Sequence, residues 1–255
     1  MTTVFPGLPL NLSVWQKSLR WVPTAEQQQQ FQTLYEGILT GNQQVNLTRI
    51  TEPDEFWEKH LWDSLSGIEP WLTDEPPDWL PQVSPAKAPR IIDIGTGGGF
   101  PGMPVAIALP QSHVTFLDST RKKIQFLETL AQQLSFPQTA FVAERAETIG
   151  HHRDHRGRYD IALVRAVGPA STCAEYALPL LDEGGMAVLF RGQWSDEDSQ
   201  TLEKALPPLG ASLIEVQAFV TPLTQGVRHC VYLQKTGMTE IAYPRAVGIP
   251  AKQPL

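Results

Sequence analysis

The stretch Ile91-Ile92-Asp93-Ile94-Gly95-Thr96-Gly97-Gly98-Gly99-Phe100-Pro101-Gly102 decides the fold. It begins as an apolar run of strand length and breaks into glycines. It then enters residues 101–109, whose apolar spacing is helical. A glycine-rich turn gains meaning in this strand–turn–helix context. Glycines let the backbone turn tightly and let a ligand approach it closely. The helix start beyond presents N–H groups that lack intrahelical partners.

Downstream, apolar runs at 114–117, 140–142, 159–164 and 186–190 alternate with helical patterns at 122–134 and 170–180. Such alternation predicts βαβ units and an α/β fold with a doubly wound, mainly parallel sheet. Residues 212–218 and 228–234 read as a closing antiparallel hairpin. Upstream, residues 1–72 read as an N-terminal helical extension. Phe31, Leu34, Tyr35, Ile38 and Leu39 share one helix face, and Gly41-Asn42 ends it. Pro53 then suits the first turn of a further helix carrying Phe56, Trp57, His60, Leu61, Ser64 and Leu65. The run Gln27 to Gln30 is a polar helix face to which no function is assigned. Residues 73–89 hold five prolines and read as a linker, leaving 90–255 as the ligand-binding domain with a basic C-terminal tail.

The composition narrows the function classes. A chain of 255 residues with 42% hydrophobic and 18% charged residues can build one large packed domain, with or without an extension. Two cysteines, Cys173 and Cys230, make neither a disulfide scaffold nor a metal site. Residues 1–10 lack a secretory signal pattern, and no run approaches the ~20 apolar residues of a membrane span, so a cytoplasmic protein is expected. A net charge of -7 argues against a broad nucleic-acid footprint and leaves room only for a local basic patch.

Asp118 ends the second strand, 23 positions after Gly95. That is close to the ~20-residue spacing at which an acidic residue meets a ribose hydroxyl. Gly97, Gly99 and Gly102 formally match G-x-G-x-x-G, so a dinucleotide is one reading. Asp93 favours S-adenosylmethionine, because its carboxylate would hold a methionine ammonium, directly or through water, and would repel a pyrophosphate. Ligands in open α/β sheets sit at the carboxyl ends of strands. That rule nominates Glu144-Arg145-Ala146-Glu147, where a backbone N–H and the Glu147 side chain would meet an adenine edge; a solvated loop of charges fits the spacing as well. It also nominates Arg165 and Arg191 at successive strand ends, with a rim salt bridge as the alternative for Arg165.

Several segments together resemble the ribosomal RNA small subunit methyltransferase G family, also called the glucose-inhibited division protein B family. They are Asn46-Leu47-Thr48 with His60-Leu61-Trp62-Asp63-Ser64-Leu65, the glycine stretch through Phe100-Pro101-Gly102, and Leu117-Asp118-Ser119 with Lys122-Lys123 and Phe126-Leu127. Arg145-Ala146-Glu147, Tyr159-Asp160 with Arg165-Ala166, and the tail from Tyr243-Pro244-Arg245 through Gly248-Ile249-Pro250 to Pro254-Leu255 complete the match.

The resemblance implies a Rossmann-like class I methyltransferase fold and methylation of guanine N7 in 16S ribosomal RNA, with the RNA or the small-subunit particle as partner. It implies cofactor contacts at Gly95, Phe100, Asp118, Ser119, Thr120, Ala146, Glu147 and Arg165, alongside Asp93 and Gly97 from the turn itself. Guanine N7 has a lone pair and no proton, so no general base is required. Arg165 or Arg191 would then orient the base, with His60, Asp63 and Ser64 shaping its pocket. Lys122, Lys123 and Arg245 would face the RNA, with Arg121, residues 153–158, Arg228 and Lys252 as further basic candidates. Arg191 departs from the family's frequent Lys, exchanging a point donor for a planar fork. The 73–89 segment is longer than the family leads one to expect. A methyltransferase acting on a small molecule and a non-catalytic cofactor-binding regulator are the competing readings.

Overall fold

In the computed structural model, which describes residues 5–80, 88–136 and 138–255, the apolar runs form five parallel strands. They are β1 (Arg90–Ile94), β2 (His113–Leu117), β3 (Thr139–Val142), β4 (Tyr159–Arg165) and β5 (Leu181–Arg191). Two long strands close the sheet: β6 (Ala211–Val220) and β7 (Val227–Lys235), antiparallel to each other, with β7 antiparallel to β5. The order is β3-β2-β1-β4-β5-β7-β6. The doubly wound sheet and its closing hairpin are thus as the sequence predicts. Strand order reverses between β1 and β4, so a crevice opens at their carboxyl ends.

The parallel strands read as near-continuous apolar runs because helices cover both faces. Alternate residues sort to opposite sides: Ile91, Phe116, Leu163 and Val188 join one core, and Ile92, Leu117, Val164 and Leu189 join the other. The first face is covered by α1 (Leu12–Leu19), α2 (Ala25–Gly41), α3 (Pro53–Phe56), a π-helical turn (Trp57–Trp62), α4 (Asp63–Ser66), α5 (Glu69–Leu72), α6 (Gly102–Ala108) and α7 (Arg121–Gln133). The second face carries α8 (Ala146–Ile149), α9 (Ala170–Ala177) and α10 (Asp196–Ala205). A last turn, α11 (Ile249–Lys252), lies in the tail.

Residues 5–72 share one core with the sheet, since Trp15, Tyr35, Trp57 and Trp62 are buried in the same cluster as Phe116 and Tyr232. Apart from α2, the helices of this region have four to eight residues. Helices that short are not stable alone in water, so burial of their aromatic faces holds them; each fully buried large side chain contributes roughly 1.5–3 kcal/mol. Gln27 takes a definite part in this packing. Its carbonyl closes a capping box with Thr24, and its amide donates to Ile107 O at 2.9 Å, pinning the start of α2 to the end of α6. Residues 81–87 of the expected linker lie outside the described residues. Within its described part, Trp79 packs on Tyr232 with ring centroids 4.7 Å apart. Among the described residues no helix is long and apolar enough to cross a membrane.

Candidate cofactor and substrate cleft

The glycine turn leaves β1 under the control of two carboxylates. Asp93 is fully buried, and its Oδ2 accepts from Thr96 Oγ1 (2.5 Å) and Gly102 N–H (2.8 Å), clamping both ends of the turn. A Cβ on Gly102 would stand 2.5 Å from Phe116 Cε1 and 2.7 Å from Asp93 Oδ2, so only glycine fits there. The other oxygen, Asp93 Oδ1, is buried with no partner among the described residues. Burial pushes this carboxyl up to about 6 despite the bonds from Thr96 and Gly102. An orphaned, desolvated oxygen at this point fits an approaching cationic amino group or a bridging water.

Asp118, half-buried at the end of β2, braces the turn from the neighbouring strand. Its Oδ2 accepts from Gly97 N–H at 3.0 Å and its Oδ1 from Thr120 N–H at 2.7 Å. A carboxylate has about four lone-pair sites; two remain here, enough for a ribose diol. Gly97 has φ +56°, and a Cβ placed on it would meet nothing nearer than 3.8 Å. Only the left-handed backbone demands glycine at this position, and the space above it stays open. Gly95, Leu117, Asp118, Ser119, Ala146 and Val167 line the cleft, with Tyr176 and Ala251 closing its far end.

At that far end the sequence expectation needs amending. The Glu147 carboxylate does not stand free toward an adenine. It is buried, and it accepts from Arg145 Nη2 (2.9 Å), Tyr176 Oη (3.2 Å) and Gly248 N–H (2.9 Å). Burial pushes this carboxyl up, but Arg145 and the Gly248 N–H outweigh it and hold it below the usual carboxylate range. Ala146 is the first residue of α8, where helix N–H groups lack intrahelical partners.

A second cluster forms around Arg165, which ends β4 beside the glycine turn. Its Nη1 donates to Asp63 Oδ2 (2.8 Å) and to Lys59 O (3.0 Å), and its Cζ lies 5.7 Å from the centre of the Phe100 ring. The π-helical turn makes this possible. Asp63 N–H donates to Glu58 O, five residues back, and not to Lys59 O as it would in an α-helix. Asp63 also faces Arg228 from β7 at 3.6 Å. His60 stacks on Phe100 with centroids 4.2 Å apart and rings 6° from parallel. Its Nε2 meets Thr48 Oγ1 at 2.7 Å, while Nδ1 is buried without a partner among the described residues. Burial and the nearby Arg165 cation lower the His60 pKa to about 3, so its ring is neutral. Ser64 Oγ donates back to His60 O, four residues earlier, so this hydroxyl is spent inside the helix. The salt bridge that the sequence left open for Arg165 is therefore present, at the end of β4 beside the glycine turn.

Other candidates are placed elsewhere. Arg191 donates to Gly168 O at 2.7 Å and lies over Trp194; among the described residues it shares no partner with Arg165. Lys122 and Lys123 occupy the first turn of α7, next to Asp118, Ser119 and Thr120. Arg245 has an internal partner, giving its Nη2 to Glu175 Oε2 at 2.7 Å and to Gln253 O at 2.8 Å. It is not a free surface cation. Sequence reasoning read Asn42 only as a helix stop and Thr48 only as part of a motif, and it passed over Glu58. Asn42 Oδ1 accepts from Leu47 and Thr48 N–H, and a Cβ on Gly98 would lie 3.3 Å from Leu47 O. The Asn46-Leu47-Thr48 motif is therefore a brace against the glycine turn. Glu58 is buried and accepts from Leu223 N–H, Thr224 N–H and Thr224 Oγ1, tying the β6–β7 turn to the π-helical turn.

The family model for rRNA small subunit methyltransferase G matches residues 27–230. The chain belongs to this family. The ribosomal RNA small subunit methyltransferase G of Synechococcus elongatus is 54% identical over 249 residues, covering 98% of this chain and 98% of that protein. The protein of the same name from Nostoc punctiforme is 52% identical over 248 residues, covering 97% and 98%. Among solved structures, the antibiotic-resistance methyltransferase Kmr aligns with a TM-score of 0.49 at 16% identity, covering 58% of this chain and 87% of that one. The fold assignment rests on the strand order and not on that likeness. The chain is thus a methyltransferase of the small-subunit rRNA family on a Rossmann-like sheet, and the Asn46-Leu47-Thr48 and His60 to Leu65 segments that carried the resemblance pack against its glycine turn.

Proposed function

We propose that this chain transfers a methyl group from S-adenosylmethionine to N7 of a guanine in the 16S RNA of the small ribosomal subunit. The observation that most supports this reading is the fixed Arg165 guanidinium, set over Phe100 beside the glycine turn and held there by Asp63 and Lys59 O. His60, the one titratable ring in the cluster, has a pKa near 3 and does not accept a proton at neutral pH. Guanine N7 has no proton to remove.

Bound S-adenosylmethionine would supply an electrophilic methyl on a sulfonium. Asp118 and the glycine turn would fix the adenosine end, and Asp93 the amino group. Among the described residues Arg165 uses only Nη1, leaving Nε and Nη2 to donate to guanine O6 and to set the ring angle. Asp63 and Lys59 O keep that guanidinium from swinging away. The barrier is then lowered by alignment, not by proton transfer. Arg121 and Lys122, exposed on the first turn of α7, place cations for RNA phosphates beside the cleft of a net acidic chain.

Small subunits from a strain lacking this enzyme, and in parallel bare 16S RNA, would be incubated with the protein and radiolabelled S-adenosylmethionine, then digested and mapped. Label should appear on one guanine as the 7-methyl derivative. Arg165→Ala should slow transfer by about 10²-fold, the effect of losing one transition-state donor, and still bind S-adenosylhomocysteine. Cofactor binding without transfer to either particles or bare RNA would overturn the RNA reading and favour a small-molecule substrate or a regulatory role.

A further inference from the structure

The C-terminal tail folds back to the cofactor cleft, where Ala251 lines the same space as Gly95 and Asp118. It is secured by side chains from distant elements. His151 Nε2 meets Pro244 O at 2.6 Å, and Thr172 Oγ1 donates to Pro250 O at 2.8 Å. Glu175 accepts from the Arg245 backbone N–H (2.7 Å) and guanidinium, and Glu147 accepts from Gly248 N–H (2.9 Å). His151 is exposed, but the other anchors are buried: Thr172 is 1% exposed, Glu175 0% and Glu147 2%. A tail that merely rested on the surface could leave at little cost. Here its departure would strip Glu175 of its Arg245 partner and Glu147 of one donor, and buried carboxylates without partners are strongly disfavoured.

Glu147 is the joint between tail and cleft. One carboxylate receives Arg145 from the β3–α8 loop, Tyr176 from α9 and Gly248 from the tail. Resting on the cofactor reading above, we propose that residues 248–251 form the adenosine-end wall of the cleft, and that Glu147 is a positioning residue coupling this wall to the Arg145-Ala146 edge. The Glu147 carboxylate is committed to these protein donors. It keeps two walls at a fixed separation, so that ligand docking and tail docking reinforce each other.

S-adenosylhomocysteine binds without turnover and serves as the probe. Its affinity would be measured by calorimetry, and hydrogen exchange would be followed with and without it. Exchange in residues 246–252 should slow on saturation, with the β6–β7 hairpin as an unaffected control. Glu147→Gln should weaken binding about tenfold, the effect of losing one charge-assisted contact, and should lose the ligand-dependent protection of the tail. A purely structural role would lower the melting temperature and leave that protection intact. Ala251→Trp alters an exposed residue that the fold tolerates, and should weaken binding by a similar factor. Unchanged exchange in 246–252 together with wild-type affinity in Ala251→Trp overturns the wall. Failure of the wild type to bind the probe overturns the cofactor reading as well.

Discussion

Asp118→Asn preserves the side-chain shape at the end of β2 and removes its charge. In the protein, Oδ2 accepts from Gly97 N–H at 3.0 Å and Oδ1 from Thr120 N–H at 2.7 Å. Asparagine offers one oxygen, so its amide must face one of these N–H groups donor against donor. One charged hydrogen bond is lost and the other becomes neutral; with charged bonds at about 1.5–3 kcal/mol and neutral ones at about 0.5–1.5, the turn loses about 3 kcal/mol of local order. Asp118 is half-buried and water can relieve the mismatch, so about 1 kcal/mol of this should reach global stability, a fall in melting temperature of about 2–4 °C. Cofactor affinity is hit harder. Two ribose hydroxyls would lose a charged acceptor, and about 1.5 kcal/mol for each makes binding about a hundredfold weaker. Calorimetric titration with S-adenosylhomocysteine, paired with thermal melts of the same samples, separates the two effects. A dissociation constant within threefold of wild type, with the melting temperature lowered, would show that Asp118 serves the turn alone and would refute the ribose assignment.

Asp93 holds its proton up to about pH 6, above the unfolded value of 3.8. Its ionisation therefore opposes folding, a cost absent below about pH 4 that reaches on the order of 3 kcal/mol above pH 6. Asp93→Asn should gain melting temperature over wild type as pH rises through that window while losing cofactor affinity; an equal offset at pH 4 and pH 8 would contradict this. His60 has the opposite sign. Its folded pKa near 3 lies below the unfolded 6.5, so the stability present above pH 6.5 is lost as pH falls toward 3, by about 1.4 kcal/mol per pH unit. His60→Gln should flatten that acid limb in urea titrations at pH 7 and pH 5, and an unchanged limb would count against a buried neutral ring. Gly102→Ala would drive a Cβ to 2.5 Å from Phe116 and 2.7 Å from Asp93, costing about 1–3 kcal/mol; an unshifted denaturation midpoint would show that the turn has slack.

Much of the cleft was legible because its signals are local. Gly97 and Gly102 are required by a left-handed backbone and by close packing, which are properties of a few consecutive residues. Asp118 follows from the length of one βα unit. Glu147 and Arg245 show where such reading stops. Both were charges in promising segments, and both are consumed by partners 101 and 70 positions away in the chain, Gly248 and Glu175. A single sequence carries no record of such pairings, and a charge committed inside the fold reads the same as one facing a ligand.

By itself the sequence determined the alternation of strands and helices, the closing hairpin, the glycine turn and the ends of the strands where a ligand would sit. Periodicity and turn chemistry are set by neighbours along the chain, and burial of a parallel sheet leaves uninterrupted apolar runs. Only the tertiary structure decided which strand end meets which helix. It brought Asp63 and Lys59 O onto Arg165 through a π-helical turn that no spacing announced, stacked His60 on Phe100, and carried the tail to the cleft beside Gly95. These contacts join residues far apart in sequence. Their geometry is fixed by the sheet order and by the packing of the N-terminal helices on one face, and neither is written in any one segment.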